Sequence, residues 1–547
     1  MTKITVDPLD GYTSLLDILE TAAIRYKGRC AFGLFHDNGA RDWWSFEELD
    51  VRSRAAAWRL RSEHGLSRGD RLLTWSPSTP EVPAVFFGAM RAGVVLVPLD
   101  PRMAPDTIAR IAADADANVL ALGEGPDAPD ARALGIRGLR IANMRDLIAP
   151  DPRAVEVDAW ERPVRGDLFE ILYTSGTTGK PKGVMVTHGN ALGWMEGAIR
   201  AIQPREHRVV SLIPLSHIFG QIAELFYTLL VGAEVLYVRS LNPKTIFRAL
   251  RAHRVTTMAT MPMALELFWK AIEREVRQSG KERAFARLRK VARHLPFPVR
   301  RVLFAQVHRE LGGELRLFAS GSAYLPPAIQ QAWEDIGVRV IQGYGATECG
   351  LITCTREADR EVGTVGLSIP PNDLRFAADG EILVRGPGVF QGYWRNEQAT
   401  RAVFDDDGYY RTGDLGERHA DGAIVLRGRK KEMIALPNGF KVFPEDVENA
   451  LRDAGVADAV VLETAPGRIE AVLRRPSSDR PDDGSVRSAI EAAVRAANAR
   501  LGIHQRLDSW RFWPDDDLPR THTMKIKRSV VRDRILGETG VAAAAAR

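Results

Sequence analysis

Phe169-Glu170-Ile171-Leu172-Tyr173-Thr174-Ser175-Gly176-Thr177-Thr178-Gly179-Lys180-Pro181-Lys182-Gly183-Val184-Met185-Val186 reads as an apolar run, a polar loop and a second apolar run. Phe169–Tyr173 and Val184–Val186 have the composition of buried strands. Between them, Gly176, Gly179 and Gly183 leave the backbone free to curl with its N–H groups turned inward. Thr174, Ser175, Thr177 and Thr178 add hydroxyls, and Lys180 and Lys182 add positive charge. Inward donors and cations together are what cradling a polyphosphate requires. The loop fits neither G-x-x-x-x-G-K-[ST] nor G-x-G-x-x-G. The plainer alternative is a Ser/Thr/Gly surface hairpin, which the density of donors disfavours.

Outward from this stretch, strand and helix patterns alternate. Upstream, Phe46, Leu49, Ala56 and Leu60 recur at helical spacing, and Arg71–Trp75 reads as a short buried strand. A helix over Pro83–Arg91, a strand over Val94–Leu99, a helix over Asp106–Ala115 and a strand over Asn118–Leu122 follow. Downstream, strands are predicted at Val209–Ile213, Glu234–Val238 and Val338–Gln342. This rhythm predicts an α/β fold with largely parallel sheets and flanking helices. Beyond about Asp373 the texture changes. Glu381–Arg385 and Gly422–Arg427 with their Gly/Asp turns predict a smaller antiparallel β section. A compact α+β piece follows, with helices at Val447–Ala454 and Val486–Arg500 and strands at Ala459–Glu463 and Ile469–Leu473. Pro476–Ser485 reads as a loop and the closing VAAAAAR as a frayed tail. The division expected is a large body over 1–428, a hinge at 429–431 and a small mobile lid over 432–547.

At 547 residues the chain is too long for one hydrophobic core, which fits such a division. Its 45% hydrophobic and 27% charged content is that of a globular protein. The N-terminus lacks an apolar run behind a basic stretch, and the most apolar window, Ala84–Leu99, is broken by Arg91 and Gly93. A cytoplasmic protein is expected. Cys30, Cys349 and Cys354 supply neither a disulfide framework nor a C-x-x-C zinc pair. They read as reduced, packed thiols. The formal charge of +5 favours anionic partners only weakly. No helix-turn-helix, zinc finger or stacking platform points to nucleic acid.

The Tyr173–Gly183 loop resembles the phosphate loop of the adenylate-forming superfamily, which comprises acyl-CoA synthetases, peptide-synthetase adenylation domains and beetle luciferases. Four further blocks resemble that family's motifs, in the same order. They are Gly343-Tyr344-Gly345-Ala346-Thr347-Glu348, Tyr410-Arg411-Thr412-Gly413-Asp414, Gly428-Arg429-Lys430-Lys431-Glu432 and Pro519-Arg520-Thr521-His522-Thr523-Met524-Lys525. The resemblance implies that Thr174–Gly179 and Lys182 hold the ATP phosphates. It implies that Glu348 ligates Mg²⁺, a role suited to a hard oxygen donor, with Thr347 near the α-phosphate. Tyr344, Gly345 and the segment Gly321-Ser322-Ala323 would line the adenine site. Asp414 would accept both ribose hydroxyls, as an acceptor-only carboxylate can, and Arg429 would reach the same nucleotide. Taken alone, Asp414 reads as a turn aspartate, Glu348 as a capping acid and Tyr344 as a core aromatic.

Lys525 carries the mechanism in this reading. A carboxylate attacking the α-phosphate brings two anions together, so a cation is required as charge builds on the phosphoryl oxygens. The resemblance assigns that part to Lys525 and the hinge to Lys431. Met524 stands where many relatives have glycine. The stretch Glu314–Gly350 and the segment Leu436–Glu448 resemble long-chain fatty acyl-CoA synthetases most. His217, Phe219, Gly220 and Gly343 would then form the acid-binding wall, and Gly439, Phe440 and Lys441 would approach the thiol of CoA. The implied reaction joins a medium- or long-chain fatty acid to AMP with pyrophosphate release, then passes the acyl group to CoA. A carrier-protein thiol as acceptor, and a non-catalytic nucleotide- or membrane-binding protein, stay open as alternatives.

Lys270–Arg309 carries twelve Lys/Arg against three Glu, together with Phe285, Leu288, Leu295, Phe297, Leu303 and Phe304. A basic, partly amphipathic surface of this kind suits peripheral contact with anionic lipid. A charged helix pair packed on the body and a dock for an acyl carrier protein are its alternatives.

Overall fold

The computed structural model describes residues 3–124, 134–174, 181–239, 242–358, 360–436, 440–456, 458–475, 484–520 and 526–545. The chain divides into two compact units. The first comprises Met1–Arg375, Leu383–Arg411 and Arg418–Ile424, and the second Phe376–Ile382, Thr412–Glu417 and Val425–Arg547.

Two sheets dominate the first unit. One has six strands in the order Arg140–Asn143, Val119–Leu122, Arg71–Trp75, Val95–Leu99, Leu168–Thr174 and Lys182–Thr187. All neighbours are parallel except the last pair, an antiparallel hairpin in which Thr174 faces Lys182. The other has nine strands, in the order Leu367–Ser368, Gly350–Cys354, Arg339–Ala346, Leu317–Ser320, Thr257–Thr260, Arg208–Ser211, Glu234–Val238, Cys30–Phe35 and Arg41–Ser45. Its six inner strands, from Arg339–Ala346 to Cys30–Phe35, are parallel to one another. Every residue of Val95–Leu99 is buried, as expected of a strand covered on both faces. Helices enter with local signals. Ser45 and Glu48 close a capping box at the start of Phe46–Ser62, and Thr187 and Asn190 do so for His188–Ala201.

The second unit contains a three-stranded sheet of Ala459–Ala465, Arg468–Leu473 and Ser509–Phe512. Val442, Val447, Leu451, Val461, Ala471, Leu473 and Ala497 share one of its cores. Arg528 ties its parts together, pairing with Glu448 and, at 3.3 Å, with Glu432, and donating to the Val461 carbonyl at 3.1 Å.

Most of the expected elements are present with ends moved by a few residues. The strand expected at Val338–Gln342 runs on to Ala346, which places the Gly343–Ala346 block inside it. Two expectations are corrected. The C-terminal tail is not frayed through its alanines, because the last helix runs Arg528–Ala545; alanine is the strongest helix former. Asp414 opens no turn but lies within the strand Tyr410–Arg418. Cys349 and Cys354 are buried thiols and Cys30 is half-buried. Burial pushes the Cys354 thiol up to about 12, so it is inert. Among the described residues no helix is long and apolar enough to cross a membrane.

Candidate active site

In parallel α/β sheets the crevice beyond the C-terminal strand ends is where ligands bind. Here those ends gather the expected residues of the first unit. Leu317–Ser320 ends at Gly321, and its neighbour Arg339–Ala346 carries Gly343, Tyr344 and Gly345. A methyl added at Gly321 would stand 3.4 Å from the Gly343 carbonyl oxygen and 3.4 Å from the Phe219 ring. The backbone of the expected adenine segment thus touches the expected acid wall. Ser322 holds φ +67°, a left-handed backbone uncommon outside glycine and concentrated at functional sites. Tyr344 is buried, whereas Ser322 and Ala323 are exposed.

Thr347 and Glu348 occupy the tight connection between Arg339–Ala346 and the antiparallel Gly350–Cys354. Glycine is required at 345, where a Cβ would lie 1.7 Å from the Gly350 carbonyl oxygen. The turn is pinned from outside. The Phe390 N–H donates to the Glu348 carbonyl at 2.7 Å, and the Tyr393 hydroxyl donates to Glu348 Oε1 at 3.0 Å. Lys182 extends its ammonium over the Tyr393 ring, 5.0 Å from the centroid. The end of the phosphate-loop hairpin and the Glu348 turn therefore meet at one tyrosine. Ser175–Lys180, which include Ser175, Gly176, Thr177, Thr178 and Gly179, lie outside the described residues, as do Gly439 and Lys525.

His217 follows the strand Arg208–Ser211 and meets a residue that the sequence reading missed. Its Nε2 is 3.0 Å from Asp100 Oδ2. Asp100 comes directly after Val95–Leu99, and its side chain is only 1% exposed. It also accepts from the Arg102 backbone N–H at 2.8 Å and from the Arg102 guanidinium. Burial pushes the Asp100 carboxyl up. The hydrogen bonds from His217 and Arg102 outweigh that and hold it well below the usual carboxylate range. A permanent anion therefore fixes the imidazole. The strand-end rule applied to Val95–Leu99 could have found Asp100 from sequence; nothing in the sequence joins Tyr393 to Glu348, 45 positions away.

Gly220 packs so closely that a Cβ would meet the Pro214 carbonyl oxygen at 2.6 Å. The chain then forms a π-helix over Gln221–Phe226, a wide turn frequent at functional sites. It carries two buried polar side chains. Gln221 donates to Glu170 at 2.9 Å and to the Leu215 carbonyl at 2.9 Å. Glu224 accepts from the Ser211 hydroxyl at 2.6 Å. Burial pushes both carboxyls up to about 8, so near neutrality they are largely protonated.

In the second unit, Arg429 Nε lies 2.7 Å from Asp414 Oδ1, and Asp414 is buried. The sequence-expected ribose acceptor and its cation are thus together. Lys431 is exposed within a short 3₁₀ turn, Lys430–Glu432. Lys441–Val442 is a short strand paired with Ile434–Ala435. Phe440 is 54% exposed and stacks on His504 with centroids 4.7 Å apart.

The family model of AMP-binding enzymes matches residues 19–394, and that of the AMP-binding enzyme C-terminal domain matches residues 431–536. The chain belongs to the AMP-binding enzyme family. This AMP-binding enzyme is 29% identical to a long-chain-fatty-acid–CoA ligase of Mycobacterium bovis, over 89% of this chain and 90% of that protein. It is 28% identical to an indoleacetate–CoA ligase of Aromatoleum aromaticum, over 84% and 88%. Among solved structures, an anthranilate CoA ligase in complex with anthranoyl-AMP shares its fold at a TM-score of 0.78. The identity there is 22%, and the match covers 98% of this chain and 99% of that one.

The bond between Asp100 and His217 has a measurable consequence. Asp100→Asn keeps the shape but removes the charge, weakening a charge-assisted bond of about 1.5–3 kcal/mol. We expect KM for the carboxylic acid to rise about tenfold, with KM for ATP unchanged, in a pyrophosphate-release assay. Parallel changes in both constants would assign Asp100 to folding instead.

Proposed function

We propose that this AMP-binding enzyme is an AMP-forming acid–CoA ligase acting on a medium- or long-chain fatty acid. The observation that carries the reading is the approach of Phe219 to Gly321, which also lies against the Gly343 carbonyl, beside a His217 fixed by Asp100. A carboxylate and the α-phosphate of ATP can meet there. The long-chain-fatty-acid–CoA ligase relative supports the choice of acid and of acceptor.

In the first step an acid oxygen forms a bond to the α-phosphorus, and the bond from that phosphorus to the β-phosphate oxygen breaks, releasing pyrophosphate. No general base is needed, because the nucleophile is already an anion. Glu348 would hold Mg²⁺ together with the ATP phosphates. Its carboxylate is a hard oxygen donor, and among the described residues Tyr393 is the hydrogen-bond partner of Oε1 alone. The metal, when bound, neutralises charge on the phosphates. Lys182 and the loop before it would hold the phosphate oxygens, and Thr347 the α-phosphate. Tyr344, Gly345 and Gly321–Ala323 would receive adenine, and Asp414 with Arg429 the ribose. Lys525 would bridge acid and phosphate as charge builds. In the second step the CoA thiolate attacks the acyl carbonyl and AMP leaves. Gly439, Phe440 and Lys441 would face that thiol, and Lys431 would be the hinge between the two steps. A carrier-protein thiol as acceptor is the alternative, decided by whether CoA alone completes turnover.

Acid-dependent pyrophosphate release, run across acid chain lengths with and without CoA, tests the reaction. Lys525→Ala should cut adenylation by two to three orders of magnitude, about 3–4 kcal/mol, while thioester formation from supplied acyl-adenylate survives. Equal loss of both half-reactions would contradict the assignment.

We further propose a cytoplasmic enzyme that touches anionic membrane through 270–309. Part of that segment's charge is engaged internally. Arg289 and Arg293 each pair with the buried Asp335 at 3.1 Å, and Arg300 and Arg301 donate to backbone carbonyls. Phe285 and Leu288 pack on the core and Phe304 is buried. Among the residues that face outward are Arg283, Arg287 and Lys290, on one side of the helix Glu282–Ala292, with the exposed Val291, Val299 and Val302. Changing Arg283, Arg287 and Lys290 to Glu should abolish co-sedimentation with anionic vesicles in low salt and spare activity on soluble short acids. Equal sedimentation with neutral vesicles would refute the membrane contact.

A further inference from the structure

Tyr393 stands between two groups of the candidate site without belonging to either of their motifs. Gly392, Tyr393 and Trp394 form an extended strap along the second strand of the phosphate-loop hairpin. Met185 N–H donates to the Gly392 carbonyl at 3.1 Å, Val184 pairs with Tyr393, and Trp394 N–H donates to the Gly183 carbonyl at 2.7 Å. The Tyr393 ring is clamped against Phe390, with centroids 5.0 Å apart and planes 70° apart. The backbone of the same Phe390 grips the Glu348 turn. Tyr393 is only 6% exposed, and its hydroxyl has a defined polarity. It hydrogen-bonds Tyr410 on one side and donates its single proton to Glu348 on the other.

We propose that Tyr393 is a positioning residue for divalent-metal binding. By occupying Glu348 Oε1 it turns Oε2 toward the cation that accompanies ATP, and its ring holds the Lys182 ammonium on the phosphate side. The proposal rests on the reading of Glu348 as a metal ligand. A carboxylate on a short turn can rotate through many poses, and one fixed hydrogen bond removes most of that freedom before the metal arrives. The ring supplies the second half through a cation–π contact at 5.0 Å, within the range where a desolvated pair is attractive. Fixing the anion and the cation from one side chain sets their spacing, which a triphosphate and its metal must match.

Calorimetry of nucleotide binding separates this role from a structural one without reference to turnover. Tyr393→Phe keeps the ring and removes the hydroxyl. It should raise the Mg²⁺ concentration that half-saturates ATP binding about tenfold, with metal-free AMP binding unchanged. Tyr393→Leu also removes the ring and should in addition weaken metal-free ATP binding. In a Glu348→Gln background, Tyr393→Phe should add nothing to the Mg²⁺ requirement. An unchanged Mg²⁺ requirement in Tyr393→Phe, an equal loss of Mg²⁺–ATP and metal-free AMP binding, or additivity with Glu348→Gln would overturn the proposal. If Glu348→Gln itself leaves the Mg²⁺ requirement unchanged, the reading of Glu348 falls, and this inference with it.

Discussion

Glu170 and Gln221 share a hydrogen bond between two side chains without solvent exposure, and the first unit's site depends on it. Glu170 belongs to the strand that leads into the phosphate loop, in the six-stranded sheet. Gln221 opens the π-helix that follows the nine-stranded sheet's Arg208–Ser211 and the His217 segment. An ionised carboxylate at that depth would cost far more than the bond returns. Burial pushes the carboxyl up to about 8, and the neutral acid can remain. Among the described residues, Glu170 Oε1 and Gln221 Oε1 both lack a hydrogen-bond partner if the acid is ionised. A proton on Glu170 converts one of these orphan acceptors into a donor. The bond from Asp100 to His217 repeats the connection nearer the surface, again from one sheet to the other.

With the sheets joined at these points, the strand ends need only short extensions to assemble a site. Gly321 allows Phe219 to approach, Gly343 allows Leu351 to do so, and Gly345 allows the Glu348 turn to fold back on itself. Trp194 supports the same turn from the helix His188–Ala201. It donates to the Gly388 carbonyl at 2.8 Å and packs where a side chain at Gly350 would otherwise be. The chemistry asked of this arrangement is modest. A carboxylate nucleophile and a pyrophosphate leaving group require positioning and opposed charge more than proton transfer. The donors and cations here are of the kind that supply both.

Much of this was legible in the sequence, for physical reasons. Val95–Leu99 and Glu234–Val238 are buried on both faces, so their apolar runs mark them as strands. The five motif blocks were readable because each is local, with its glycines, hydroxyls and charges within a few residues of one another. Partnerships across long separations were not readable. Asp100 and His217 are 117 residues apart and Glu170 and Gln221 are 51 apart. Each looks ordinary until the sheets bring the pair together. The 270–309 segment misled in a different way. Its charge count was right, but the count gave no sign that Arg289 and Arg293 turn inward to Asp335.

A crystal structure of the protein with a non-hydrolysable acyl-adenylate tests the central claim most directly. The account predicts adenine against Tyr344 and the Gly321–Ala323 backbone, with the acyl carbonyl beside Phe219 and His217. The bond between His217 and Asp100 should be present. An acyl-adenylate bound anywhere other than the C-terminal ends of Leu317–Ser320 and Arg339–Ala346 would contradict it.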